Sequence, residues 1–191
     1  MAEPKTHSPV ALVVAVFSRH PEAFAWGRSQ LESLHGPIAL ASVEFPFSQT
    51  DYYERSMGAD LRKQLLVFHA LIAPDRLPDI KLRTNALERE IAAQSQWPEA
   101  RPLNLDPGLL TLGKFQLATV KDQAHRIYLR DGIFAEVTLR YEAGAFVPWP
   151  WTYADYRQPL VLDFLQAARD WYYRRIREPA TISPPPPTSS E

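Results

Sequence analysis

HRIYLRDGIFAEVTLRYEAGAFVPW, residues 125–149, decides how this chain folds. Asp131-Gly132 and Ala143-Gly144 are hairpin signatures, because glycine takes a positive φ there without steric cost. They divide the stretch into the strands of an antiparallel meander. A three-residue loop Arg130-Asp131-Gly132 sets Leu129 opposite Ile133, Ile127 opposite Ala135 and His125 opposite Val137. A second loop, Glu142-Ala143-Gly144, sets Tyr141 opposite Ala145, Leu139 opposite Val147 and Val137 opposite Trp149. Both registers collect apolar residues on one face, as a half-buried sheet requires. The other face carries Arg126, Tyr128, Phe134, Glu136, Thr138, Arg140, Phe146 and Pro148. Arg126 then stands opposite Glu136. Two readings compete for that pair: a cross-strand ion pair, or one wall of a cleft in which Arg126 and Arg140 offer guanidiniums to an anion.

Working outward, the helix after the meander has Leu160, Val161, Phe164, Leu165, Ala168, Trp171 and Tyr172 on one face, with Asp155 as its N-cap and Gln158 three residues on. Upstream, Leu77, Ile80, Thr84, Leu87 and Ile91 make a helical stripe over Pro74–Ala93. Pro74 suits its first turn, although Asn85-x-x-Glu88 also reads as a capping box for a later start. The run 61–72 fits either helix or strand, and strand is preferred. Asp51–Gly58 is a turn or short helix. Ile38–Phe47 alternates, with Ala39, Ala41, Val43, Phe45 and Phe47 on one side. Pro21 opens a helix carrying Phe24, Leu31 and Leu34, closed by Gly36-Pro37. Val10–Phe17, continuously apolar, is a strand covered on both faces. The expected fold is therefore a single α+β domain over residues 9–178, with a mainly antiparallel sheet, a C-terminal three-stranded meander and helices packed on it. Residues 1–8 and the proline-rich 179–191 are expected to be disordered tails.

Composition narrows the function classes. The chain has 191 residues, 46% of them hydrophobic and 12% aromatic, enough for a packed core. Its net charge of -1 supplies no basic excess for nucleic acid. There is no cysteine, which removes disulfides, thiolate metal sites and cysteine nucleophiles and makes the cytosol the simplest compartment. Val10–Phe17 is too short to cross a membrane and lacks the flanks of a signal peptide. The histidines show no HxxxH or HExxH spacing for zinc, and no GxSxG is present for a serine nucleophile.

Gly108-Leu-Leu-Thr-Leu-Gly113-Lys114 has the GxxxxGK spacing of a phosphate-binding loop, but Phe115 replaces the hydroxyl residue that would meet Mg²⁺. Asp106-Pro107-Gly108 reads as a tight turn. Lys121, Asp122 and His125 hold the ingredients for proton transfer, with Asp122 placed to orient the imidazole, yet the register puts His125 on the apolar face. Trp149, Trp151, Tyr153 and Tyr156 are accounted for by packing of the last helix onto the sheet.

Asn104-x-Asp106-Pro107-Gly108, Lys121-Asp122, His125-Arg126-Ile127-Tyr128, the run Gly132–Leu139 and Trp151-Thr152-Tyr153-x-Asp155-Tyr156 together resemble a bacterial and archaeal family catalogued as domain of unknown function 4416. The likeness continues upstream through Glu44–Phe47, Thr50–Tyr53, Met57-Gly58 and Ile80-Lys81-x-x-Thr84-Asn85-x-x-Glu88, covering roughly residues 9–178. That family brings no established activity or cofactor. In it another small residue stands where Gly113 does, which counts against a phosphate-binding loop. The resemblance concentrates attention on Asp51, Lys81, Asn85, Glu88, Asp106, Lys121, Asp122, His125, Arg126 and Glu136. Two functions follow. The first is binding of a small phosphate- or carboxylate-bearing ligand by Lys81, Asn85, Asp106, Arg126, Glu136 and Arg140, with Lys121, Asp122 and His125 as catalytic groups if the protein is an enzyme. The second is a non-catalytic structural or regulatory interaction domain whose charges are ion pairs and caps.

Overall fold

The structure, a computed structural model, describes residues 3–48 and 53–177. Thr50, Asp51, Tyr52 and the expected tail 179–191 lie outside the described residues. The architecture is the expected single-domain α+β fold. Among the described residues nine strands form one antiparallel sheet in the order β2-β4-β1-β5-β6-β8-β7, with short β3 beside β4 and β9 beside β8. The strands are β1 (Val10–Ser18), β2 (Ile38–Ala41), β3 (Phe45–Pro46), β4 (Arg62–Ile72), β5 (Asn104–Leu110), β6 (Lys114–Thr119), β7 (Ile127–Arg130), β8 (Ile133–Glu142) and β9 (Ala145–Pro148). The helices are α1 (Pro21–His35), α2 (Glu54–Met57), α3 (Leu77–Ala93) and α4 (Pro159–Arg175).

Every residue of β1 is buried, which explains its unbroken apolar composition. The pleat sends Leu12, Val14 and Val16 toward α1 and α3, where they meet Phe24, Leu31, Ile80, Leu87 and Ile91. Ala11, Val13 and Ala15 point the other way, into a core with Val161, Leu165, Ala168 and Tyr172 of α4. The sheet is thus the middle of three layers. The run 61–72 is strand β4, held between β1 and β2.

Several local expectations change. The stretch 38–47 is broken at residues 42–44, because Ser42 turns its side-chain oxygen and backbone onto Leu65. Phe45 and Phe47 stay buried, but Val43 is 73% exposed. Leu34 also lies outward, whereas Phe24 and Leu31 are buried. Asn85 and Glu88 sit inside α3, not at its start, since Pro74–Arg76 forms a 3-10 turn that leads directly into it. Asp155 does not cap α4. Pro159 forces Gln158 into an extended conformation (φ -67, ψ 138), so α4 begins only at the proline.

The meander's turns are tighter than expected. Arg130 pairs with Ile133 and Glu142 with Ala145, leaving two-residue loops Asp131-Gly132 and Ala143-Gly144 with positive φ at all four positions. A bulge between Tyr128 and Arg130 restores the expected pairing of Ile127 with Ala135. No such bulge follows the second turn, so Leu139 faces Pro148 and Tyr141 faces Phe146. Phe146 therefore joins the apolar core and leaves the polar face. Strand β7 is an exposed edge, with Ile127 70% exposed, so the supposed apolar face does not continue there.

Asp106-Pro107-Gly108 is mid-strand and not a turn. β5 pairs with β1 along its full length but with β6 only from Gly108 to Leu110. Pro107, which has no N–H to donate, stands where the β6 ladder stops. Gly108 stands where the strands are closest: a Cβ there would collide with the Gln116 carbonyl and lie 2.9 Å from the Phe115 ring. Beyond this point β6 follows β8 as far as Thr119, paired with Phe134, and leaves β5 behind. The sheet splits.

Candidate functional site

The split opens a cavity of about 410 Å³. Asn104 and Asp106 of β5 form one wall, and Leu117 to Lys121 at the end of β6 form the other. Lys81 and Asn85 of α3 close it on one face of the sheet, and Tyr153 to Tyr156, just before α4, on the opposite face. Phe17 and Lys63, paired across β1 and β4, lie at its end.

Among the described residues lining the cavity, five are cations (Lys63, Lys81, Arg101, Lys121, Arg126) and three are carboxylates (Asp106, Glu136, Asp155). Lys63 Nζ is 2.5 Å from Asp155 Oδ2, with both side chains at most 6% exposed. Its ammonium also lies 4.4 Å from the Tyr156 ring centroid, within a cage completed by Phe17 and Phe47. Lys81 donates to Asp106 Oδ1 (2.9 Å) and to the Leu105 carbonyl (3.1 Å), while Asn104 donates to Asp106 Oδ2 (2.8 Å). Arg101 bonds Glu88 at 2.8 Å and also donates to the side-chain amide oxygen Oδ1 of Asn104. Glu88 accepts the Leu105 N–H in turn, so one carboxylate ties α3 to the start of β5.

Arg126 bonds Glu136 Oε2 through Nε (2.8 Å), the Lys121 carbonyl through Nη1 (3.0 Å) and the Tyr153 hydroxyl through Nη2 (2.6 Å). The expected Arg126–Glu136 pair is present and buried, at 2% and 1% side-chain exposure. Two buried polar atoms of the lining residues, Glu136 Oε1 and the Tyr156 hydroxyl, have no hydrogen-bond partner among the described residues. A buried group left unsatisfied costs about 1–3 kcal/mol.

The environment fixes which groups carry protons. Burial pushes the Tyr153 hydroxyl up to about 12, aided by the Glu136 charge and opposed by Arg126. Burial and then Asp106 raise Tyr53, while burial and then Asp155 raise Tyr156. All three hydroxyls stay protonated around neutral pH and act as donors, not bases. For Asp106 burial acts upward, but the charges of Lys81 and Lys63 and the bonds from Lys81 and Asn104 outweigh it, so its carboxyl is held below the usual range. For Glu88 the balance reverses: burial raises its pKa despite Lys81 and Arg101.

The cavity gathers Lys81, Asn85, Asp106, Lys121, Arg126 and Glu136 from the residues singled out in the sequence. Of the residues proposed for binding or catalysis it leaves out three, Asp122, His125 and Arg140, and Glu88 also lies outside its lining. Asp122 is exposed and does not orient His125, because the imidazole turns to Glu136, with Nε2 3.1 Å from Oε2. His125 also leaves the expected sheet face, lying before β7 and stacked on Trp151 at 5.2 Å. Trp151 stacks in turn on Trp149, and the Arg140 guanidinium lies 4.4 Å from the Trp149 ring centroid. Arg140 is thus spent on this ladder and on Glu142, 2.7 Å away. Of the aromatic group expected to pack the last helix, only Tyr156 enters the α4 core; Trp149 and Trp151 build the ladder instead.

The sequence pattern does not point to Lys63, Arg101 or Tyr53. Lys63 had one signal: it sits in phase with Leu65 and Val67 on the buried face of β4, where a lone charge needs a partner. Asp155 is that partner. No group of three or more His, Cys, Asp or Glu side chains among the described residues is arranged to hold a metal. The GxxxxGK match spans β5, its hairpin and the first residue of β6, with no helix N-terminus to receive a phosphate. No helix among the described residues is long and apolar enough to cross a membrane.

Fold and site together define a three-layer α+β protein whose sheet divides around a cavity of paired charges. The chain belongs to the family described as Domain of unknown function (DUF4416), whose match spans residues 8–172. No curated protein and no solved structure matches it.

Proposed function

We propose that this is a cytoplasmic protein that binds a small anionic ligand, phosphate- or carboxylate-bearing, in the cavity between β5 and β6. The observation that carries this reading is the convergence of five cations on one concave site against three carboxylates. The chain as a whole has no basic excess, its net charge being -1. Nucleic acid and membrane surfaces are therefore poor partners. The protonated tyrosines add donors suited to an anion's oxygens. Proton transfer by Lys121, Asp122 and His125 gains no support from the geometry, so the reading is one of binding.

One observation favours a second reading. Lys63, Lys81, Arg101 and Arg126 each already meet a carboxylate. A protein whose charges serve only to lock its layers together, and which acts through its surface, would look the same in this respect. A thermal-shift panel of inorganic phosphate and phosphorylated and carboxylated metabolites separates the two. Binding at a hundredfold excess over Kd stabilises the native state by about 2.7 kcal/mol. Asn85→Ala, which removes a half-buried lining amide and leaves the ion pairs intact, is expected to weaken any response. A flat panel favours the second reading.

A further inference from the structure

The cavity's hydrogen-bonding balance says more about the ligand than its charge does, and this step rests on the anion-binding reading above. Each of the three wall carboxylates already has one resident cation: Asp106 has Lys81, Asp155 has Lys63, and Glu136 has Arg126. An ammonium on the ligand would find each wall carboxylate already compensated and would face the cavity's excess of cations, five against three, an excess that favours an anion. A neutral hydroxyl meets no such penalty. It finds spare acceptor capacity, since Glu136 Oε1 is buried without a partner and Asp155 engages Lys63 through Oδ2 alone. The Tyr156 hydroxyl, also buried without a partner among the described residues, offers a donor from another residue of the same lining. The aromatic rings of Phe17, Phe47 and Tyr53 offer flat apolar wall beside these polar atoms.

We infer that the ligand is a polyhydroxylated anion of the sugar-phosphate class. Its phosphate meets the cations, and its hydroxyls satisfy Glu136 and Tyr156. Both of those atoms are shielded from water in this structure. The ligand reaches them once the rim yields, and Tyr153, 43% exposed and bonded to Arg126, is a lining residue that faces solvent there.

Calorimetric titration of the full chain with inorganic phosphate, ribose 5-phosphate and O-phosphoethanolamine tests this. Ribose 5-phosphate is expected to bind on the order of tenfold or more tighter than phosphate, and O-phosphoethanolamine no tighter than phosphate. Tyr156→Phe keeps the ring and breaks no internal hydrogen bond, so it should fold normally and lose most of that advantage. Glu136→Gln, checked for folding by circular dichroism, should do the same. Equal binding of phosphate and ribose 5-phosphate would overturn the hydroxyl assignment and leave the anion reading standing. Tighter binding of O-phosphoethanolamine than of ribose 5-phosphate would overturn it in favour of an ammonium. An advantage that survives Tyr156→Phe would overturn the role given to that hydroxyl. No binding of any probe would remove both this inference and the anion reading beneath it.

Discussion

Lys63 and Asp155 show how much one buried pair can decide. Their side chains are 4% and 6% exposed, so neither charge has water to fall back on. Removing one partner strands the other, which typically costs about 3–5 kcal/mol, whereas removing both is far milder. Lys63→Met should therefore lose about 3–5 kcal/mol in denaturant titration, and Lys63→Met combined with Asp155→Leu should recover much of it. A single variant within about 1 kcal/mol of the parent would show that the pair does not hold the layers together. Asp106 gives a pH-resolved counterpart. Burial pushes its carboxyl up, but the charges of Lys81 and Lys63 and the hydrogen bonds from Lys81 and Asn104 outweigh it, so its folded-state pKa lies below the ordinary aspartate value of 3.8. The stabilisation this brings is complete above pH 3.8 and is lost as pH falls through the folded-state value. Asp106→Asn is thus expected to be about 1–3 kcal/mol less stable than the parent at neutral pH, with the gap closing in acid below pH 3.8. A gap that stays constant down to pH 2 would mean that the loss came from packing and not from charge.

The elements were the most legible level of this sequence, and their registers the least. Strand β1, the stripe of α3 and both hairpins follow from apolar period and glycine placement, which are local properties. Register is different, because Asp131-Gly132 and Ala143-Gly144 fit two- and three-residue loops alike. Two-residue turns win here although Asp131 and Ala143 must adopt φ of 55 and 50, since such turns match the twist of the flanking strands. The slip of one residue moved Phe146 from the polar face to the core. Asp106-Pro107-Gly108 misleads for a related reason: turn-forming residues were placed where two strands part. Gly108 tests that account. Gly108→Ala must displace the Gln116 carbonyl and the Phe115 ring and should cost about 1–3 kcal/mol. Gly113→Ala meets nothing within 4 Å and should change stability by less than about 1 kcal/mol. Equal effects in the two melting curves would rule out close strand approach as the role of Gly108.

At the scale of the whole molecule, the site belongs to no single segment. Its walls come from β1, β4, α3, β5, β6, β8 and the turn before α4, and its tightest ion pair joins residues 92 apart in sequence. That is why single residues such as Lys81, Asp106, Arg126 and Glu136 could be singled out in advance while Lys63 could not: their chemistry is local, but its partner is supplied by topology. The same topology predicts where the protein opens. β1 is buried throughout and hydrogen-bonded on both sides, to β4 and β5, between helices on both faces. β7 pairs with β8 alone, and all four of its residues are exposed. Amide exchange at β1 therefore requires the layers to come apart, whereas β7 can exchange by lifting from one neighbour. In native-state hydrogen exchange across low denaturant, the amides of β1 should report a free energy equal to global unfolding and falling with denaturant at the global slope. Those of Ile127 to Arg130 should exchange orders of magnitude faster, with almost no denaturant dependence. The end of β6 beside the cavity should fall between them, since beyond Leu117 it has β8 but not β5 for a neighbour. A sugar phosphate seated between Asp106 and Glu136 would bridge the parted strands and raise the protection of Ala118 and Thr119 toward that of β5. If β1 exchanged as freely as β7, the central strand would not be what holds the three layers together.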